Sequence, residues 1–358
     1  MKALVLAGGT GTRLRPFSYS MPKQLIPIAN RPVLLHCLDN VKDAGVTEVG
    51  VIVGDRGDEI RALVGDGADL GLRITYIHQE CPLGLAHTVA VAADFLGDDD
   101  FLMYLGDNML LGGVREQAER FRSRRPAAQV VTVQVPDPRA FGVVELDGYG
   151  RVTRLVEKPA QPRSDLALIG VYFFTAAVHE AVAAIEPSAR GELEITDALQ
   201  WLLEQGHAVD AERYRGYWKD TGRFEDVLEC NREYLDGLPP RVQGTVDADS
   251  TVQGPVVIEP GAQVVRSQLI GPLIVGAGSV VTDSRIGPHT SVGRDCLLAG
   301  AGMEYSITLD GVSVRGVRGI HGSLIGRSAS VASAELDGTA GTRHRLVIGD
   351  HTSVEVAA

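Results

Sequence analysis

The sequence has 358 residues, long for one domain, and two domains is the natural expectation. Hydrophobic residues make up 44% and charged residues 22%, the balance of a soluble globular chain with a sizeable core. Lys and Arg number 34 against 46 Asp and Glu, so the net charge of −12 argues against nucleic acid as the main partner, while leaving room for a small anion held by a few local cations.

Taken in chain order, Ala3–Ala7 reads as a short buried strand running into Gly8, Gly9 and Gly11. Val33–Ala44 has helical spacing and stops at Gly45; Glu48–Gly54 is again β-branched, as are Leu72–Ile77 and Phe101–Leu105, with a helical Ala86–Leu96 between those two. Strands separated by helices predict a mostly parallel sheet covered on both faces, with ligands outside the carboxyl ends of its strands. Gly8–Gly11 and Gly106-Asp107-Asn108 both follow a strand and belong on that edge. Asp98-Asp99-Asp100 reads as a solvated turn. The longest mostly apolar run, Leu166–Val178, is too short to span a bilayer, and the apolar stretch before Gly8 is too short for a signal peptide. Cys37, Cys81, Cys230 and Cys296 form no CxxC pair and read as reduced thiols, which with the rest predicts a cytoplasmic protein.

After Leu238-Pro239-Pro240 the period changes. Val246, Val252, Ile258, Val264 and Ile270 recur every six residues; the phase slips and resumes at Val275/Val281, Ile286/Val292/Leu298 and Ile348/Val354. One inward aliphatic per six residues, with Gly, Pro, Ser and Asp between, predicts a parallel β-helix, with an irregular stretch over 303–347. Residues 1–238 are therefore expected to form one domain and 239–358 a second.

The opening glycines fit neither common phosphate loop. A Walker motif would place its second glycine at Arg13 or Leu14, and a dinucleotide fingerprint would need glycine at Leu14. The stretch "GGTGTRLRPFSYSMPKQLIPI" instead resembles the opening motif of the sugar-nucleotidyltransferase (nucleotide-sugar pyrophosphorylase) family, departing only where Ser18 stands for Thr. The resemblance covers about residues 1–236 and implies a Rossmann-like three-layer α/β/α nucleotidyltransferase domain; the repeat of the tail resembles left-handed β-helix (hexapeptide-repeat) domains. Its implied nucleotide contacts are Leu6, Gly8, Gly9, Gly11, Arg13, Lys23, Gln79, Pro82, Gly84 and Asp107, with Arg13 and Lys23 on the triphosphate. "YLGDN" and "YWKDTG" supply Asp107 and Asp220 for Mg²⁺, a hard cation that also takes substrate phosphate oxygens. "FGVVE", "VEKP" and "RGELEITD" supply Gly142, Glu157, Lys158, Arg190 and Glu192, which with Asn108 and Trp218 are implied to hold the sugar phosphate. The implied catalytic set is Arg13, Lys23, Asp107, Lys158 and Asp220.

"HQECPLGLAHT" is the implied base loop, where Gln79 can offer a donor and an acceptor to a pyrimidine and Pro82 and Gly84 leave room for a flat ring. Gln79 followed by P-x-G-L-A resembles the glucose-1-phosphate thymidylyltransferases of the long form, associated with deoxysugar pathways of bacterial secondary metabolism. Their substrates would be dTTP (or UTP) and glucose-1-phosphate, and a homo-oligomer with β-helix contacts is implied. Phe141 replaces a Tyr of the short form, whose allosteric helical extension is absent from this repeat-bearing tail. A UTP-dependent uridylyltransferase for glucose-1-phosphate or N-acetylglucosamine-1-phosphate is the alternative enzyme reading, and a non-catalytic nucleotide-sugar-binding regulatory subunit the alternative of another class. His289, His321, His344 and His351 carry no acyltransferase motif and read as turn or surface residues.

Overall fold

The computed structural model describes residues 1–334 and 343–356 and divides into two compact units, residues 1–10 with 33–220 and residues 11–32 with 221–358. In the first unit β1 (Lys2–Leu6), β2 (Glu48–Val53), β3 (Arg73–His78) and β4 (Phe101–Leu105) are parallel, in the order β3-β2-β1-β4. Their connections include the helices α1 (Val33–Asp43), α2 (Gly57–Val64) and α3 (Leu85–Val91). The last of these stops at Ala92, short of the expected Leu96; a separate turn of helix follows over Ala93–Leu96. The strand β1 is almost wholly buried along KALVL, as a strand covered on both faces must be.

Beyond β4 the sheet is not parallel. After β5 (Asn108–Leu110), α4 (Arg115–Arg124) and β6 (Ala128–Gln134), the hairpin β7 (Gly142–Leu146)–β8 (Val152–Glu157) leads into β9 (Leu166–Phe174), which runs antiparallel to β4, β6 and β7. The expected mostly parallel sheet is thus a mixed nine-stranded one. At β7–β8 the reason is local: Asp147-Gly-Tyr-Gly is a tight turn, its Asp147 carboxylate accepting the backbone N–H of Tyr149 and Arg151, so no crossover helix intervenes there. Helices α5 (Ala177–Ala184) and α6 (Ile195–Glu204), then β10 (Val209–Arg213) beside β6 and β11 (Trp218–Asp220), complete the unit. Phe101, Tyr104, Phe173 and Phe174 on β4 and β9 are fully buried.

The tail is a parallel β-helix of the left-handed hexapeptide type, with short strands stacked in three sheets of seven, seven and five. Val256 pairs with Leu273 and Leu273 with Thr290, so one coil is seventeen residues, two sides of six and one of five. Three ladders fill the core: Ile258–Val275–Val292–Thr308–Ile325–Ile348, Val264–Val281–Leu298–Val314–Val331, and Leu269–Ile286–Met303–Ile320.

Two expectations are corrected. Ile270 is not an inward residue; the five-residue side puts Leu269 in the ladder, fully buried, and leaves Ile270 half-buried. The register also persists from Met303 through the strand Ser330–Ser333, because Val292 pairs with Thr308 after sixteen residues and the pattern simply advances by one. The expected irregularity over 335–342 lies outside the described residues. His289 and His351 sit at coil corners with φ of 58° and 56°, the left-handed turn geometry that His tolerates.

Candidate active site

The carboxyl edge of the four parallel strands gathers the first group of residues. Leu6 pairs with Ile52 and Leu105, and Val53 with His78, so Gly8, Gly54, Gln79 and Gly106-Asp107 all emerge side by side. Gly8 owes its lack of a side chain to a backbone neighbour: a Cβ there would lie 3.3 Å from the Gly54 nitrogen. Gly9 is exposed.

Gln79 is buried, and its Nε2 donates to His87 Nδ1 at 2.9 Å. This fixes the amide, leaving a second N–H and a carbonyl oxygen for a base edge. His87, on α3, was not among the expected site residues; in sequence it is the His directly after the G-L-A. Pro82 is exposed in the same loop. Gly84, at φ 108°, has a reason the sequence did not offer: a Cβ would meet the Leu193 carbonyl oxygen at 2.4 Å. The base loop is in fact stitched to the "RGELE" loop, Leu193 N–H donating to Leu83 O at 2.7 Å and Ala86 N–H to Leu193 O at 3.0 Å.

The second group is set by the antiparallel pairing of β11 with β5. Asp220 lies directly opposite Asn108, the neighbour of Asp107, so residues 113 positions apart in the chain are brought onto adjoining backbone. Asp107 and Asn108 are buried. Asn108 is held from both sides: Trp218 Nε1 donates to its Oδ1 at 2.7 Å, and its Nδ2 approaches Asp107 Oδ1 at 3.3 Å. Trp218 also meets Phe141 edge-on at 5.6 Å, so it is a positioned, half-buried side chain and not general core. Burial pushes the Cys37 thiol well up, and the charge of Asp107 pushes it further. Among the described residues no cluster of three or more His, Cys, Asp or Glu is placed to hold a metal. A pair of Asp residues is by its chemistry a donor set that a hard cation completes with phosphate and water oxygens.

The third group centres on Glu157 at the end of β8. Thr196 donates to its Oε2, Lys158 Nζ lies 3.2 Å from Oε1 and Arg190 3.4 Å. Lys158 has φ 41°, so the chain turns sharply as it leaves the strand. Gly142 faces this carboxylate; a Cβ there would sit 3.1 Å from Glu157 Oε2 and 2.8 Å from Leu168. Arg190 is gripped by Glu192, Glu157 and, at 3.6 Å, Glu194. Burial opposes its charge, but the three carboxylates outweigh burial and hold it firmly protonated. Burial lifts the Asp197 carboxyl, and Glu157 adds to the lift. Thr196, Glu194 and Ser188, which donates to Glu194 at 2.9 Å, are supports the motif reading did not single out.

The remaining signature residues belong to the second compact unit. Gly11, at φ 62°, opens a short 3₁₀ turn, Thr12–Leu14, with Arg13 exposed on it. Lys23 begins another, Lys23–Leu25, and its side chain runs along Gly11, where a Cβ would lie 2.9 Å from Lys23 Cβ. Arg15 instead stacks on Tyr19, 4.8 Å from the ring centre, and is spent there.

The model of the Nucleotidyl transferase family matches residues 2–237. The chain belongs to that family. It is 54% identical over 357 residues, 99% of each chain, to "Glucose-1-phosphate thymidylyltransferase" of Streptomyces antibioticus, and 52% identical over the whole of both chains to the protein of that name from Streptomyces griseus. Among solved structures it resembles a putative glucose-1-phosphate thymidylyltransferase from Bacillus anthracis in complex with a sucrose, at 31% identity and TM-score 0.63, over 67% of this chain and 98% of that one.

Proposed function

We propose that the protein joins dTTP and α-D-glucose-1-phosphate into dTDP-glucose with release of pyrophosphate. One observation carries the reading: Asp220 stands opposite Asn108, beside Asp107, at the carboxyl edge of the parallel strands, in a chain whose full-length relatives bear that activity's name. The catalytic segment is taken as 1–238 and the tail as 239–358.

A sugar-phosphate oxygen attacks the α-phosphorus in line; the new P–O bond forms as the bond to the β-phosphate oxygen breaks, and pyrophosphate leaves. The attacking phosphate is already ionised, so positioning and charge stabilisation dominate. Arg13 and Lys23 neutralise the triphosphate and the departing pyrophosphate. Asp107 and Asp220 would hold Mg²⁺, which when bound supplies charge neutralisation and alignment of phosphate oxygens. Lys158 takes the sugar phosphate and Glu157 the sugar hydroxyls; Arg190, already shared among three carboxylates, serves the same phosphate as a braced second cation. Gly8, Gly9 and Gly11 let the backbone approach the nucleotide, and the Gln79 amide reads the base. A homo-oligomer with β-helix contacts and a cytoplasmic location complete the reading; among the described residues no helix is long and apolar enough to cross a membrane.

The test is a matrix of kcat/KM for dTTP and UTP against several sugar-1-phosphates. Preference for dTTP with glucose-1-phosphate is expected, with some use of UTP, since the two nucleotides differ by a methyl and a hydroxyl. A second reading, a UTP-dependent uridylyltransferase, is favoured by a 38% identical Haloferax volcanii protein so named, matched over 65% of this chain, and a UTP preference would establish it. No pyrophosphate release with any pair would leave a non-catalytic binder.

A further inference from the structure

The segment that carries Arg13 and Lys23 is built into the β-helix unit, residues 11–32 grouping with 221–358. It is gripped at two places. At the first, Arg327 on a coil corner donates from Nη2 to Ser20 O at 3.2 Å, and Gly349 passes so close to Pro16 that a Cβ would lie 3.2 Å from the ring. Arg327 is itself immobilised, its Nε donating to Asp350 Oδ2 at 2.8 Å and its backbone N–H to Oδ1 at 2.7 Å, while Asp350 is almost fully buried.

At the second, the hairpin Pro27–Ile28/Arg31–Pro32 turns through Ala29 and Asn30, both with positive φ. Its tip plugs into the unit. Ala29 N–H donates to Oδ1 of the fully buried Asn231 on α7 (Phe224–Asp236) at 2.9 Å, and Ala29 packs with Leu235, Val257 and Ile274. Asn30 Nδ2 donates to the Val292 carbonyl of a coil strand at 2.7 Å. Asn231 is in turn fixed by Ser291, which donates to the same Oδ1 at 2.7 Å.

We propose that the β-helix is the frame that positions the triphosphate-binding segment, with Arg327 and Asn30 as positioning residues acting through Arg13 and Lys23. The proposal rests on the functional reading above. Lys23 lies between the two grips and Arg13 just before the first, so loosening either grip displaces both cations without removing a substrate contact. Misplacement by about an ångström at a charged leaving group is enough to cost a large factor in turnover while ground-state binding of the other substrate is spared.

The test uses the full chain and three variants. Arg327→Ala frees the first grip. Asn30→Gly frees the second while keeping a residue that accepts the positive φ. Arg294→Ala is the control, because Arg294 makes the same corner ion pair, to Asp310 at 2.8 Å, two coils away. The first two are expected to lower kcat by about tenfold or more and to raise KM for pyrophosphate in the reverse direction, with KM for glucose-1-phosphate within about twofold of wild type. Arg294→Ala keeps wild-type kinetics. Hydrogen exchange supplies a readout independent of substrate: faster exchange within 11–32 in both tethering variants, unchanged in 33–220. Wild-type kcat in both variants, or equal loss in the control, overturns the frame. A wild type inactive with every substrate pair sinks the functional reading instead, and unchanged exchange in 11–32 would then overturn the frame separately.

Discussion

Gln79 shows how much one neighbour can decide. Its amide could face a base in either of two orientations, and the hydrogen bond to His87 Nδ1 selects one, provided that nitrogen carries no proton. The oxygen and the free N–H left over match the N–H and carbonyl of a thymine or uracil edge and oppose the pattern of cytosine. His87→Leu is therefore expected to raise KM for dTTP several-fold and to narrow the preference for dTTP over dCTP. An unchanged dTTP/dCTP ratio in kcat/KM would remove His87 from base selection. At the pair proposed to hold Mg²⁺, Asp220→Asn keeps the size and the β11 backbone pairing but removes a charge. Turnover is expected to fall by roughly a hundredfold or more, an effect of the size seen when a charge-stabilising group is lost, with the melting temperature little changed. Near-wild-type magnesium-dependent activity would refute the assignment. Arg13, Lys23, Asp107 and Asp220 can be nominated from the sequence because their motifs are contiguous runs of unusual residues. His87 was not, because its part depends on which way two side chains eight residues apart turn, and no local pattern records that.

At the scale of elements, the informative joins are loop to loop. Gly84 sits against the backbone of Leu193, so the base loop and the Arg190 loop are one object. Gly84→Ala puts a Cβ into a carbonyl oxygen at a φ that L-residues avoid, and is expected to destabilise by about 1–3 kcal/mol and to weaken nucleotide and sugar phosphate together. Loss confined to the nucleotide would mean the loops act separately. The same loop carries a pH signature. Burial holds the Glu194 carboxyl above its ordinary range, the Ser188 hydrogen bond pulling the other way and Glu157 adding to the rise. A carboxyl with a raised folded pKa binds more protons folded than unfolded. Its favourable contribution is present below the unfolded pKa and is lost as pH rises through the folded value. Glu194→Gln is therefore expected to raise the melting temperature at neutral pH, with the gain shrinking toward about pH 4; a lower melting temperature at neutral pH would show that the ion pair to Arg190 outweighs burial. The β-helix teaches a related lesson about reading period. Six-residue spacing is visible wherever two six-residue sides follow each other, as at Val275/Val281, but the five-residue side shifts the inward position to Leu269 and hides the true repeat of seventeen. Ser250, Ser267 and Ser284 keep that longer repeat, each hydroxyl accepting the backbone N–H of the next coil, and a search at seventeen would have found it. The hairpin β7–β8 was missed for a different reason: its alternation is interrupted by a bulge between Val152 and Arg154.

For the whole molecule, chain order and compact structure part company. The signature segment follows β1 closely in sequence, yet residues 11–32 group with the tail. A chain read from its N-terminus gives no hint of this, because the contacts that tie 11–32 down, from Asn231, Val292 and Arg327, lie 202, 262 and 307 positions away. The consequence is that loss of the β-helix should end activity even while the sheet unit stands. Leu298 offers the cleanest probe: it is fully buried in the middle of its ladder, between Val281 and Val314, and far in sequence from every proposed site residue. In a stacked coil each unit leans on its neighbours, so a cavity there weakens the tail as a whole. Leu298→Ala is expected to cost about 2–5 kcal/mol and to lower the melting transition of the tail. The temperature at which dTDP-glucose synthesis fails should fall by the same amount, while hydrogen exchange in 33–220 stays protected beyond that point. If synthesis persists above the temperature at which the coils have lost protection, then Arg13 and Lys23 do not depend on the β-helix, and the tail is an appendage to a self-sufficient catalytic unit.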